Sequence, residues 1–125
     1  MKKIAMVCPP LQGHMNPMFS IAHILVKYGV EIFFIGIPDA KDIIKDFKII
    51  TIGEKVFPKG SLEPILQKMT QTKGIKMGRV WQKKFVNKWC AIACNDMPEI
   101  IEKLNFDLMV IDQLDPASAL VADKY

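Results

Sequence analysis

Two side chains in this 125-residue sequence stand where they could move a proton together. His14 comes shortly after Ile4–Cys8, a short apolar run stopped by Pro9 and Pro10, and Asp112 directly follows the apolar run Asp107–Ile111. Each run reads as a buried strand, so both residues are expected just past a strand's carboxyl end. Histidine backed by a carboxylate is a base with an orienting partner. The carboxylate fixes the imidazole tautomer and stabilises the cation formed when the base takes a proton. An ordinary histidine pKa of about 6.5 suits proton abstraction near neutral pH. No Gly-x-Ser-x-Gly accompanies the pair, so acid–base work fits better than covalent catalysis. A simpler reading stays open on these residues alone: His14 hydrogen-bonds a loop at a helix N-terminus, and Asp112 caps the last helix.

The elements that must position the pair follow from pattern. Pro9 and Pro10 lack amide donors and end the first ladder. Gly13 is expected to turn the backbone tightly, with His14 on the turn just before a helix. That helix spans Met15 to Lys27, with Met15, Met18, Phe19, Ala22, Leu25 and Val26 on one face and His23 on its flank, and it stops at Tyr28-Gly29. Val30–Ile37 is a nearly continuous apolar strand, the pattern of a parallel sheet covered on both faces. Pro38-Asp39 is expected to open a short helix to about Asp46, and Phe47–Ile52 a third strand leading into Gly53.

Glu54–Gly74 carries the weakest signal, with a short helix suggested by Leu62, Ile65, Leu66 and Met69. Gly78–Asn95 reads as a strong helix whose stripe of Val80, Trp81, Phe85, Trp89, Ile92 and Ala93 faces the core. Asp96 and Glu99 read as a capping box that starts a second helix running to Leu104, with Pro98 in its first turn. After the strand at Asp107–Ile111, Leu114–Tyr125 begins one more helix with no return strand, so the sequence reads as cut short within a crossover. The expected fold is α/β, a Rossmann-like parallel sheet of order 3-2-1-4 flanked by helices. In that order the first and fourth strands are neighbours, and their loops converge on one crevice at the switch point.

Composition narrows the classes. The chain is half hydrophobic, with mean hydropathy +0.18, and is long enough for one core but not two. Its formal charge of +4 is carried by lysines with no dominant run. That pattern calls for a solvated surface and for no nucleic-acid partner. No apolar segment is long enough to span a bilayer, and the charged start followed by a brief apolar run reads as a strand and not as a signal peptide. Cys8, Cys90 and Cys94 form no metal or disulfide spacing, and Cys90 and Cys94 are expected in buried helix packing. The expected location is cytoplasmic, at most peripheral to a membrane.

Pro9-Pro10-Leu11-Gln12-Gly13-His14-Met15-Asn16-Pro17 resembles the Gly-His-x-x-Pro signature of the sugar-nucleotide-dependent glycosyltransferases of the GT-B fold, the UDP-glycosyltransferase family. Asp107–Ala122, with Asp112-Gln113 followed by Pro116-Ala117, is similar to the fourth-strand segment of that family, which includes the macrolide glycosyltransferases, and especially to its zeaxanthin-glucosyltransferase branch. The resemblance implies inverting hexosyl transfer, with His14 as general base, Asp112 as its carboxylate partner, and Gln12, Gly13, Asn16 and Gln113 in substrate binding. It implies a small lipophilic acceptor and a nucleotide sugar, a UDP-sugar, as co-substrate, with no cofactor and no metal. An oxocarbenium-like transition state is expected, with Gly13 and the helix N-terminus near the diphosphate oxygens.

The resemblance covers residues 1–125 as an incomplete N-terminal acceptor-binding domain. The family's C-terminal donor-binding domain has no counterpart in this sequence, so the chain alone is expected to be inactive. Two other readings stand beside this one. The first is a non-catalytic truncated module, or one subunit of a split enzyme whose open sheet edge takes a partner chain or self-associates. The second is a dinucleotide-binding oxidoreductase domain, supported only by Asp39 after the second strand and weakened by a lone Gly13 where Gly-x-Gly-x-x-Gly is needed.

Overall fold

The computed structural model describes residues 1–125 as a four-stranded, all-parallel sheet of order β3-β2-β1-β4 with helices on both faces. In chain order the elements are β1 (Lys3–Val7), α1 (Gln12–Lys27), β2 (Glu31–Gly36), a short 3-10 turn (Pro38–Asp42) and β3 (Lys48–Thr51). There follow α2 (Leu62–Thr70), α3 (Ile75–Trp81), a π-helical turn (Gln82–Val86), α4 (Asn87–Leu104), β4 (Leu108–Ile111) and α5 (Pro116–Lys124). The expected architecture and strand order are those observed.

Strand alternation explains why β1 and β2 read as unbroken apolar runs. Ala5, Val7, Ile35 and Ile37 point to one face, into a core with Trp89, Ile92, Met97 and Val121. Ile4, Met6, Cys8, Ile32 and Phe34 point to the other, against Met15, Met18 and Ala22 of α1. With both faces covered, neither strand has a solvent side that would select polar residues. Phe19, Phe34 and Phe47 close the α1 face, with ring centroids 5.5 to 6.2 Å apart. His23 lies on the flank as expected, half exposed and tilted against Phe47 at 4.8 Å. Gly53 must be glycine: its φ is +76°, and a Cβ there would come within 2.8 Å of the Ile92 Cδ1 atom.

Three expectations are corrected. The helix from Pro38 is a short 3-10 stretch that ends at Asp42, not Asp46, and Asp39 in its first turn also serves another element. Its buried carboxylate accepts the Gly60 N–H at 2.6 Å and the Leu62 N–H at 2.8 Å, capping α2 from a distance. The acid that favoured a dinucleotide reading is thereby engaged. The second correction is at Asp96, where no new helix starts and α4 runs through. Ile92, Ala93, Met97 and Ile101 keep one continuous buried face. Pro98 removes only the hydrogen bond to the Cys94 carbonyl, and Cys94 is exposed, so water can satisfy it. The third correction concerns the thiols: Cys90 is half-buried and Cys94 exposed, so only Cys8 is a core cysteine.

At the foot of the sheet, Asp107 ties β4 to β1. Its Oδ2 accepts the Lys3 backbone N–H at 2.8 Å, and Lys2 Nζ sits 3.2 Å from Oδ1. The Lys3 amide, then Lys2, hold this carboxyl below the usual carboxylate range. A depressed folded-state pKa contributes stability that is present above the unfolded-state value and lost as pH falls through the folded one. Asp107→Asn should therefore be less stable than the parent near neutral pH. In urea denaturation the gap should close as the buffer is taken below the carboxylate range.

Candidate active site

β1 delivers the chain to the site and then stops. After Val7 the segment Cys8-Pro9-Pro10 cannot continue the ladder, and Leu11, in extended conformation, becomes the N-cap of α1. The helix therefore begins at Gln12, and His14 is its third residue, inside the first turn and not on a loop before it. Gly13 is helical too, which corrects the tight-turn expectation: its φ is not positive, and a Cβ there would meet nothing within 4 Å. Pro17 lies inside the helix as a result, and it cannot donate to the Gly13 carbonyl.

β4 brings in the second group. The Asp112 N–H donates to the Val7 carbonyl at 2.9 Å, extending the β1–β4 register by one bond and fixing where Asp112 leaves the sheet. Its Oδ1 accepts the Leu114 N–H at 2.9 Å, closing a local turn, and its Oδ2 lies 2.8 Å from His14 Nδ1. The two side chains thus share a hydrogen bond although their loops are far apart in sequence. The Asp112 side chain is 13% exposed and that of His14 31%, so the pair is shielded but open to solvent on the histidine side. An ionised carboxylate can only accept, so Nδ1 carries the proton and Nε2 is left as the basic nitrogen.

Beside the pair lies a narrow apolar cleft, with a cavity volume of only about 20 Å³. Cys8, Pro9 and Pro10 from the β1 loop, Trp81, Phe85 and Trp89 from the long helix, and Leu114 and Asp115 from the β4 loop are among its lining residues. His14 and Asp112 do not line it, but the cleft wall is made by their close neighbours in both loops. The aromatic stripe expected as core is both core and wall. The wider turn at Gln82–Val86 aligns side chains four residues apart, stacking Trp81 on Phe85 at 4.4 Å and Phe85 on Trp89 at 6.2 Å, each pair within 10° of parallel.

The remaining expected site residues are surface groups. Gln12 and Asn16 are exposed one turn apart on α1, and Gln12 Nε2 donates to Asn16 Oδ1 at 2.7 Å. Gln113 is exposed on the β4 loop. Asp115 was not anticipated. It is buried, its Oδ1 accepts the Ser118 N–H at 3.0 Å, and its Oδ2 accepts Ser118 Oγ at 2.6 Å and Trp89 Nε1 at 2.8 Å. The last helix is thus capped by Asp115 and not by Asp112, which leaves Asp112 to His14. Asp115-Pro116-Ala117-Ser118 is itself a readable cap signal. Burial, then the charges of Asp112 and Asp115, push the Cys8 thiol up to about 12, so it stays a neutral thiol and is no nucleophile near pH 7.

No family model matches the sequence. The chain is 28% identical over 128 aligned residues to the zeaxanthin glucosyltransferase of Pantoea ananas, an alignment that takes in 98% of this chain. The chain spans 28% of that relative's length. With an α/β parallel sheet of the expected order, the similarity supports a relationship to glycosyltransferases at the level of glycosyl transfer in general.

Proposed function

We propose that this chain forms the acceptor-binding side of an inverting glycosyltransferase of the GT-B type. The observation that carries the reading is the 2.8 Å hydrogen bond between His14 Nδ1 and Asp112 Oδ2 beside an apolar cleft. A hydroxyl of a small lipophilic acceptor, held against Trp81, Phe85 and the Pro9-Pro10 wall, gives its proton to His14 Nε2. Its oxygen attacks the anomeric carbon, and the bond from that carbon to the diphosphate breaks with the electron pair leaving on the nucleotide. Asp112 stabilises the imidazolium that results. Gln12, Gly13, Asn16 and Gln113 face the substrates at the two loop ends, and the first turn of α1 offers its backbone dipoles to the diphosphate. The donor is a UDP-sugar, held chiefly by a second domain.

The open outer edge of β4 supports the companion part of the reading. β4 pairs only with β1, and Leu108 on it is 56% exposed. Further chain or a partner subunit covers that edge in the active enzyme.

The test is stereochemical. With a donor-binding domain supplied, UDP-glucose and a lipophilic alcohol (zeaxanthin, the substrate in the relative's name, among them) should give a glucoside of inverted anomeric configuration, read from the anomeric proton coupling. A single displacement driven by a base requires inversion. A product of retained configuration would require a covalent or front-face path that His14 and the neutral Cys8 do not provide, and would contradict the proposal.

A further inference from the structure

The positive charge of this protein is not spread evenly over it. Pro64 to Asn95 carries seven Lys or Arg and no Asp or Glu, whereas all other residues together carry ten basic and thirteen acidic side chains. Regular spacing hides this segregation, because no two of the seven are adjacent except Lys83 and Lys84. Folding then collects it. Lys68 of α2, Lys76 and Arg79 of α3, and Lys83 and Lys84 of the π-helical turn surround one shallow depression.

All seven basic residues are exposed, and none joins an ion pair; the four pairs in the protein are made by Lys2, His14, His23 and Lys48. Arg79 with Lys83, and Lys84 with Lys88, set like charges four residues apart on one continuous helical run, a repulsion that no acid between Ile75 and Asn95 relieves. An external anion would relieve it.

An exposed apolar side chain borders this face. At the start of α3, just after Gly74, Ile75 is 78% exposed and stands one turn before Arg79 on the same side of the helix, whereas Met77, two residues on, does not share that side. Cations flanking exposed aliphatic groups suit an anionic bilayer surface, where the charges meet phosphate headgroups and the apolar groups enter the headgroup–acyl boundary. A nucleic acid would use the charge, but the aromatic rings of this region, Trp81, Phe85 and Trp89, are stacked toward the cleft and core and are not offered to bases.

We infer that the α2–α3 face docks this protein on an anionic lipid bilayer, with Ile75 inserted and Lys76, Arg79, Lys83 and Lys84 paired with lipid phosphates. The inference rests on charge and exposure and stands whether or not the glycosyl-transfer reading does.

Cosedimentation of the 125-residue chain with vesicles tests it. The chain should bind vesicles of phosphatidylcholine and phosphatidylglycerol in equal parts, bind phosphatidylcholine vesicles far less, and be released by salt. The triple variant Lys76→Glu, Arg79→Glu, Lys83→Glu should lose at least about 100-fold in partition, roughly fivefold for each of the three cations removed and more for the negative charges added. Single variants Lys83→Glu and Lys84→Glu should each lose part of that, which keeps the test decisive if the triple variant melts early. Ile75→Asp should weaken binding without changing its salt dependence, and Lys45→Glu with Lys103→Glu, outside the face, should leave it unchanged. Equal partition into both vesicles, or parent-level binding by the charge variants, would overturn the inference. So would displacement from vesicles by duplex DNA that Ile75→Asp binds as tightly as the parent, because the face would then read polyanions and not a membrane.

Discussion

Replacing His14 with Ala is expected to lower glycosyl transfer by roughly 10²- to 10⁴-fold, the usual contribution of a positioned general base. The loss should fall on kcat, with the acceptor KM little changed, because the cleft wall is built from Pro9, Pro10, Trp81 and Leu114 and not from the imidazole. Folding should survive, since the His14 side chain is 31% exposed and its one polar partner, Asp112, keeps the Leu114 amide. Asp112→Asn should cost a similar factor by a different route. The amide in its place can accept from Leu114 while its NH₂ faces Nδ1, which forces the ring proton onto Nε2 and removes the base. Kinetics of the parent and both variants, with a donor-binding domain supplied, check this. A His14→Ala enzyme within a few-fold of the parent would remove His14 from the chemistry.

The largest expected effect on stability comes from Asp115. Asp115→Ala leaves the Trp89 indole N–H, the Ser118 amide and the Ser118 hydroxyl without an acceptor, and Ser118 is fully buried. Each orphaned buried donor costs about 1–3 kcal/mol, and the N-cap of α5 is lost with them. Partial relaxation brings the expected total to about 3–5 kcal/mol, a large part of the stability of a domain of this size. Urea denaturation should show a lower midpoint at unchanged slope. Trp89 fluorescence should shift as the indole loses its partner. Asp115→Asn, which keeps one acceptor, should lose less. A drop under about 1 kcal/mol for Asp115→Ala would mean that water enters and satisfies the network.

Asp115 also marks where the sequence ceases to be legible. The strands could be read because burial on both faces leaves runs such as Val30–Ile37 with no polar alternation, and a parallel sheet with one switch point brings His14 and Asp112 together from opposite ends of the chain. Such topology follows from local pattern. The Asp115–Trp89 bond does not, because it joins two elements whose relative rotation is set only by packing of the whole layer. The break expected at Asp96 came from a local signal, Asp-x-Pro-Glu, that the apolar face of Ile92, Met97 and Ile101 overrides. At Gly13 the punctuation points to a helix start at Met15, yet the extended Leu11 begins the helix at Gln12 and carries His14 inside it. The π-helical turn has no signature of its own in the sequence, although it stacks Trp81, Phe85 and Trp89 and brings Phe85 against Phe57.

At the centre of the account is one proton on one nitrogen. Long-range ¹⁵N–¹H correlation spectra of the ¹⁵N-labelled chain report that position directly, and need neither substrate nor a second domain. In the neutral imidazole of His14, Nδ1 should carry the proton and Nε2 should resonate as an unprotonated nitrogen, with the pattern reversed in Asp112→Asn. A proton resident on Nε2 in the parent, unmoved by Asp112→Asn, would contradict the base and its orienting partner together.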